Sequence, residues 1–187
     1  MEKVIILNAP PGAGKDTIGN RIAMIAPWFC RMRSFKKPMF EIARAMLGAR
    51  LYKDFMDAYN DREQKEKPQR FLNGKSPRQF MIWISEDVIK PQFGSQYFGV
   101  RMVEQIRECD DPVIITDGGF KDEIKPLIGA GFEVHICRLH RMNFTFDGDS
   151  RDYLNMDGYH YRLKTHDFLL VDGDPTHTAE EIIETCF

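Results

Sequence analysis

An apolar run that breaks at a glycine-rich turn and resumes as a helix constrains this chain more than any other feature. Val4-Ile5-Ile6-Leu7 reads as a strand buried on both faces, and Pro11-Gly12-Ala13-Gly14-Lys15-Asp16-Thr17 follows it closely. Ile18, Ile22 and Ile25 then mark one face of a helix. In that setting Gly12 and Gly14 let backbone N–H groups turn toward an anion, and the helix adds its positive end. Lys15 supplies a point charge for the β- and γ-phosphates of a nucleotide. A tight turn that merely needed glycine would have no use for the lysine. The expectation is a phosphate-binding loop from Pro11 to Thr17, with ATP and Mg²⁺ as cofactors.

The rest of the chain repeats the alternation. Apolar runs at Trp28–Met32, Val113–Thr116, Val134–Cys137 and Phe168–Val171 read as further strands buried on both faces. Helical spacing relates Met39, Ile42, Ala43 and Met46, and again Ala179, Ile182, Ile183 and Cys186, where Thr178 and Glu181 make a plausible capping box. The prediction is an α/β fold in three layers, a five-stranded parallel sheet with helices on both faces. About eighty residues separate the second and third of these strands, far more than one crossover helix needs. Helical patterns at 37–47, 78–90 and 97–108, with a polar, turn-rich stretch from Asp57 to Pro77, predict a helical insertion over residues 35–108. It would lie over the sheet's carboxyl edge, where ligands bind in such folds. Residues 139–165 lack a period and carry Arg141, Asp147, Asp149 and Arg151; a short lid and an ordinary surface loop are both open for them. The core of this single domain, 1–187, is then residues 1–34, 109–138 and 166–187.

Of the 187 residues 43% are hydrophobic, enough for a core, and the net charge of −2 gives no general attraction to nucleic acid or anionic lipid. Cys30, Cys109, Cys137 and Cys186 form no CxxC pair, and the two in apolar runs read as buried, reduced thiols. No apolar run approaches the ~20 residues that cross a bilayer. The first apolar run begins at Val4, so no signal peptide is expected. A soluble cytoplasmic protein is expected (host cytoplasm if the chain is viral), with no membrane and no nucleic-acid polymer as partner.

Two details sharpen the loop. The hydroxyl that usually follows the phosphate lysine is displaced to Thr17, and Asp16 takes its place. Val113-Ile114-Ile115-Thr116-Asp117 ends a strand in a carboxylate at the sheet's carboxyl edge, so Asp16, Thr17 and Asp117 are the expected metal set. The displaced hydroxyl resembles the GxxGxGK-x-T loop of nucleoside monophosphate kinases. With Asp in the x position it is similar to phage and viral deoxynucleoside monophosphate kinases and to animal phosphomevalonate kinase. Ser34-Phe35-Lys36-Lys37-Pro38-Met39, with Leu47-Gly48, resembles the segment after the second strand of the phage enzymes. Ser76-Pro77-Arg78-Gln79, continuing through Trp83 and Glu86 to Tyr97-Phe98, resembles their central region. Asp117-Gly118-Gly119-Phe120-Lys121-Asp122-Glu123 resembles their DxRFxNE element, and Val134 to Arg138 their fourth strand with its arginine. These pieces cover most of the chain in order. Four positions depart from the patterns: Ala9 stands where a generic loop has its first glycine, Gly119 where arginine is usual, Phe40 where lysine is frequent, and Asp122 where asparagine is usual.

The resemblance implies ATP-dependent phosphorylation of a (deoxy)nucleoside monophosphate, and it is compatible with a homodimer. The attacking phosphate oxygen is already ionised, so catalysis consists of alignment and charge neutralisation, with cations arriving from several directions. Lys15 is expected at the donor phosphates and Arg78 at the acceptor phosphate. Arg138, Arg141 and Arg151 are the lid candidates, Arg138 and Arg141 expected at the nucleotide cofactor and Arg151 at the acceptor, and Lys121 or a lid arginine would replace the one missing at Gly119. Asp16 either meets the metal's water shell and the acceptor phosphate or simply complements the helix dipole. Ser34, Phe35, Lys37, Trp83, Glu86 and Asp117 are expected to line the acceptor site. Phe80 reads as core through its spacing with Ile84. Two other readings stay open: a kinase of another small acceptor, of phosphomevalonate or dephospho-coenzyme A type, and a non-catalytic nucleotide-binding regulator on the same fold.

Overall fold

The computed structural model describes residues 2–108, 110–149 and 151–187, so Cys109 lies outside the described residues. The chain divides into two compact units, one of residues up to Phe35 together with Phe98–Phe187, the other of Lys36–Tyr97. Among the described residues no helix is long and apolar enough to cross a membrane.

The first unit is built on β1 (Lys3–Asn8), β2 (Arg31–Arg33), β3 (Val113–Ile115), β4 (Glu133–His140) and β5 (Leu163–Leu169). They form one five-stranded sheet in the order β2-β3-β1-β4-β5, and every pairing is parallel. Ile5 of β1 is level with Ile114 of β3 on one side and His135 of β4 on the other. Chain order reverses across β1, which opens a crevice at its carboxyl end. Side-chain alternation sends Ile5 and Leu7 into a core closed by Ile18 and Ile22 of α1 (Lys15–Ile25) and by Ala179 and Ile182 of α7 (Pro175–Cys186). On the other face, α5 (Tyr97–Arg107) presses on α6 (Lys121–Gly129) at Gly99. A Cβ there would lie 2.3 Å from the Glu123 carbonyl oxygen, so only glycine permits the approach.

The two edge strands depart from the sequence expectation. In place of a buried strand at Trp28–Met32, only Arg31–Arg33 pairs, and Trp28 packs its ring on Phe187 at 4.6 Å. In place of Phe168–Val171, β5 begins at Leu163 and is mostly polar. It is held by cross-strand charge pairs, Lys164 with Glu133 (2.6 Å) and Asp167 with Arg138 (2.5 Å). An edge has one solvated side and no need of a continuous apolar run. The segment without regular structure is accordingly 141–162. The last helix also starts earlier than Thr178. Asp174 caps it, accepting from the Thr176 and His177 amides at 3.1 Å each, and Pro175 occupies the first turn. Thr178 is instead fully buried within the helix.

The second unit is helical. Its α2 (Lys37–Asn60) bends at Gly48, whose φ of 69° is left-handed, and continues well past the expected end. Two short 3₁₀ turns lead to α3 (Pro77–Trp83), a π-helical turn (Ile84–Ile89) and α4 (Lys90–Phe93). Ser76 caps α3 in a capping box with Gln79. Phe55 is fully buried among Phe40, Tyr52, Tyr59 and Phe80. Phe80 is thus core, as its spacing predicts, and Phe40 serves this cluster where a lysine could not.

Candidate active site

The glycine loop leaves β1 at the crevice. Gly12 (φ 76°) and Gly14 (φ 108°) both adopt left-handed backbone, the conformation that lets a loop aim N–H groups at an anion, and α1 starts immediately with Lys15. Lys15 Nζ reaches back to the Pro10 carbonyl at 3.5 Å, which folds the cation over the loop. Asp16 and Thr17 are exposed on the first turn. Beside them lies a cleft between Ala13, Thr17 and Ile18 on one wall and Arg141, Leu170 and Val171 on the other. Arg141 bridges the walls: Nε donates to Asp172 (2.8 Å), one terminal nitrogen donates to the Ala13 carbonyl (3.4 Å), and the guanidinium covers Phe144 at 4.7 Å. A phosphate cradle beside a slot with an apolar wall and a cationic cover is suited to a nucleotide. The sequence reads Leu170 and Val171 as strand and gives Asp172 no signal; β5 ends at Leu169, which leaves Leu170 and Val171 to line the cleft.

Arg151 occupies the space above Gly119. A Cβ at Gly119 would fall 2.5 Å from Arg151 Cδ, so the stem of one residue sits where the other's side chain would begin. Asp149, almost fully buried, grips the guanidinium with both oxygens (2.8 and 2.7 Å). That pair, followed by the charges of Asp117 and Glu123, raises the arginine's pKa further despite its burial. The buried Asn8, last in β1, fixes the segment that carries it: its amide donates to the Asp152 carbonyl (3.3 Å) and its oxygen accepts from the Leu154 amide (2.8 Å). Leu154 and Met156 are buried as well. The stretch 152–156 is therefore pinned to the sheet. Asn8 is a site residue that sequence reasoning missed, and its partners lie too far along the chain for any local pattern to reveal them.

Other expected residues stand elsewhere. Arg138 is committed to Asp167 on β5 through two bonds (2.9 and 2.5 Å), and His140 meets the same carboxylate at 2.6 Å. Both partners hold the Asp167 carboxyl below its ordinary range, Arg138 most strongly. Asp117 receives Ser34 Oγ (2.5 Å) and the Phe35 amide (3.0 Å), which staples the loop after β2 to the end of β3. Phe35 itself is 1% exposed and lies beside Gly118, so it is a core residue and not a stacking surface for a base. Lys121 lies exposed at the start of α6.

In the second unit each expected residue has a local partner. Lys37 is 4.0 Å from Glu41, Arg78 Nε donates to Glu66 at 2.7 Å, Lys90 Nζ donates to Glu86 at 2.6 Å, and Trp83 stacks on Phe80 at 5.7 Å. Arg78 and Glu86 remain substantially exposed within these pairs.

The donor chemistry fits ATP with Mg²⁺. Asp16 and Thr17 offer hard oxygens, unburied and adjacent to the lysine, which suits an ion that keeps several waters and binds mainly through phosphates. Asp117, the third residue of the expected metal set, is engaged by Ser34 and the Phe35 amide.

No family model matches this chain, and no curated protein matches it. Among solved structures it is similar to a gluconokinase from Sinorhizobium meliloti 1021, with a TM-score of 0.46 and 11% identity, covering 97% of this chain and 90% of that one. It is also similar to a shikimate kinase from Bacteroides thetaiotaomicron, with a TM-score of 0.34 and 16% identity, covering 73% of this chain and 57% of that one.

Proposed function

We propose that this chain transfers the γ-phosphoryl group of ATP to a phosphorylated small acceptor, a deoxynucleoside monophosphate. The observation that carries the reading is Arg151 above Gly119. A generic ATPase needs the loop and its lysine; a phosphate acceptor needs an additional cation that neutralises a second highly charged group, and this one is fixed by Asp149 and by the Asn8 clamp. The chain then supplies Lys15 to the donor phosphates and Arg141 over the nucleotide slot. Arg151 faces the charge that develops on the transferring group, and Arg78 of the second unit takes the acceptor phosphate. Asp16 and Thr17 would hold Mg²⁺ through its water shell; bound there, the ion neutralises charge on the donor phosphates. A proton need not be removed from the acceptor, so the absence of a histidine from this set is in keeping with the reaction.

The test is ADP formation from Mg·ATP, first alone and then with each deoxy- and ribonucleoside monophosphate. Stimulation by one or a few deoxynucleotides over a low background is expected. A background that no nucleotide raises, with ATP still bound, would overturn this acceptor class.

A further inference from the structure

Two histidines and two cysteines meet at a place the nucleotide reading does not use. His135 and Cys137 share one face of β4, His166 stands level with Cys137 on β5, and Cys186 closes α7. His135 Nδ1 is 3.1 Å from His166 Nε2, and Cys137 Sγ is 3.7 Å from Cys186 Sγ. Ligand atoms of His135, His166 and Cys186 all lie within 4.8 Å of one another. His135, Cys137 and Cys186 are at most 1% exposed, whereas His166 is half-buried and leaves a way in. Lys3, at the start of β1, donates to the Cys186 carbonyl at 2.9 Å, while His135 and Cys137 stand level with Ile5 and Leu7, so the cluster lies against the body of the sheet and away from the glycine loop that follows β1.

Two edges of the cluster match those of a tetrahedral ion. Zinc bonds of about 2.3 Å to sulfur place two ligand sulfurs about 3.75 Å apart, and bonds of about 2.05 Å to nitrogen place two nitrogens about 3.3 Å apart. Both edges are nearly met before any ion is added. The four mixed sulfur–nitrogen edges of about 3.5 Å form when both thiols turn toward the imidazoles, Cys186 from within 4.8 Å and Cys137 from its place beside His166 across the β4–β5 pairing. Glu133 Oε1 lies 3.1 Å from His135 Nε2, and a proton held there leaves the Nδ1 lone pair directed at the cluster. Carboxylates orient metal-binding histidines in this way. Paired thiols and imidazoles select a thiophilic, borderline-soft divalent ion over Mg²⁺.

We propose that His135 Nδ1, His166 Nε2, Cys186 Sγ and Cys137 Sγ bind one zinc-like ion, which staples the end of α7 to strands β4 and β5. The site is closed and offers no open coordination position, so its role is structural.

The full chain, reduced and stripped of metal, is titrated with Co²⁺ and then with Zn²⁺. Expected are one cobalt per chain, tetrahedral d–d absorption with a thiolate-to-cobalt charge-transfer band, displacement by one equivalent of zinc, and a raised Tm. Cys186→Ser should weaken the band and the affinity. His166→Ala, at a half-buried edge position, should cost at least about tenfold in affinity by itself, and it keeps the test valid if the serine variant fails to fold. Mg·ATP binding should be unchanged in His166→Ala. A six-coordinate cobalt spectrum, or affinity unchanged in His166→Ala, would overturn the proposal. So would a Cys137–Cys186 disulfide that survives reduction and excludes metal.

Discussion

At position 119, where the phage-type pattern has an arginine, this chain has glycine, and in the proposed reaction the guanidinium comes from a residue 32 places later in the chain. Any side chain at 119 would collide with the Arg151 stem, so the two positions are alternative origins for one cation. Arg151→Ala is expected to lower kcat by about 10²-fold, the usual cost of one missing transition-state donor, with ATP affinity nearly unchanged. Gly119→Arg in that background should restore part of the rate, because it returns the cation from the other origin. Steady-state kinetics on the single and double variants decide it; a wild-type rate in Arg151→Ala would pass the role to Lys121. The same scale explains what the sequence could reveal. The glycine loop is contiguous, so its residues announce themselves. Asn8 meets Asp152 and Leu154 across more than 140 residues, and Arg151 meets Gly119 only through the folded chain. Contacts of that kind have no spacing to read.

Elements were legible where burial alone shapes them. The interior strands β1 and β3 are continuous apolar runs and appear where those runs are. The edges β2 and β5 take their register from partners, Arg138 and Glu133 among them, and so escaped the apolar pattern. The helix Lys121–Gly129 carries Pro126 inside it and gave no clean helical pattern. The cap of α7 offers a direct check. Asp174→Ala should cost about 1 kcal/mol of stability, since two amides lose their acceptor. Thr178→Val should be neutral or stabilising, because the fully buried Thr178 hydroxyl has no hydrogen-bond partner among the described residues. Denaturant unfolding of both variants would give the reverse order if Thr178 were the cap. The β4–β5 seam should also respond to acid. Asp167 has its folded pKa lowered, so its contribution is present above the unfolded value of about 4 and lost as pH falls through the lower folded one. Because the carboxylate is half-exposed, the effect is at most about 1 kcal/mol. The Tm difference between wild type and Asp167→Asn should be constant near neutrality and close below about pH 4. A gap that persisted into acid would assign the difference to shape and not to charge.

The proposed reaction has two tasks, holding the donor and holding the acceptor, and the residues proposed for them fall in different parts of the chain. The groups proposed for the donor, namely the glycine loop, Lys15 and Arg141, belong to the first unit, while Arg78 belongs to Lys36–Tyr97. A chain that merely hydrolysed ATP would have no use for a cation in the second unit, and Arg78 would then be one more surface charge paired with Glu66. The proposed reaction makes a sharper demand, because an arginine that leaves Glu66 for an acceptor phosphate contributes only when acceptor is bound. Lys15→Ala should therefore abolish tight ATP binding together with all turnover. Arg78→Ala should leave the Kd for ATP and the acceptor-free background as they are, and raise the KM for the acceptor by about 10- to 100-fold, the worth of one charge-assisted hydrogen bond of roughly 1.5–3 kcal/mol. Calorimetric ATP binding beside acceptor-dependent ADP formation measures both. Equal losses in the two assays for Arg78→Ala would mean that the residue supports folding. An unchanged KM would move the acceptor phosphate to another cation and leave Arg78 on the surface.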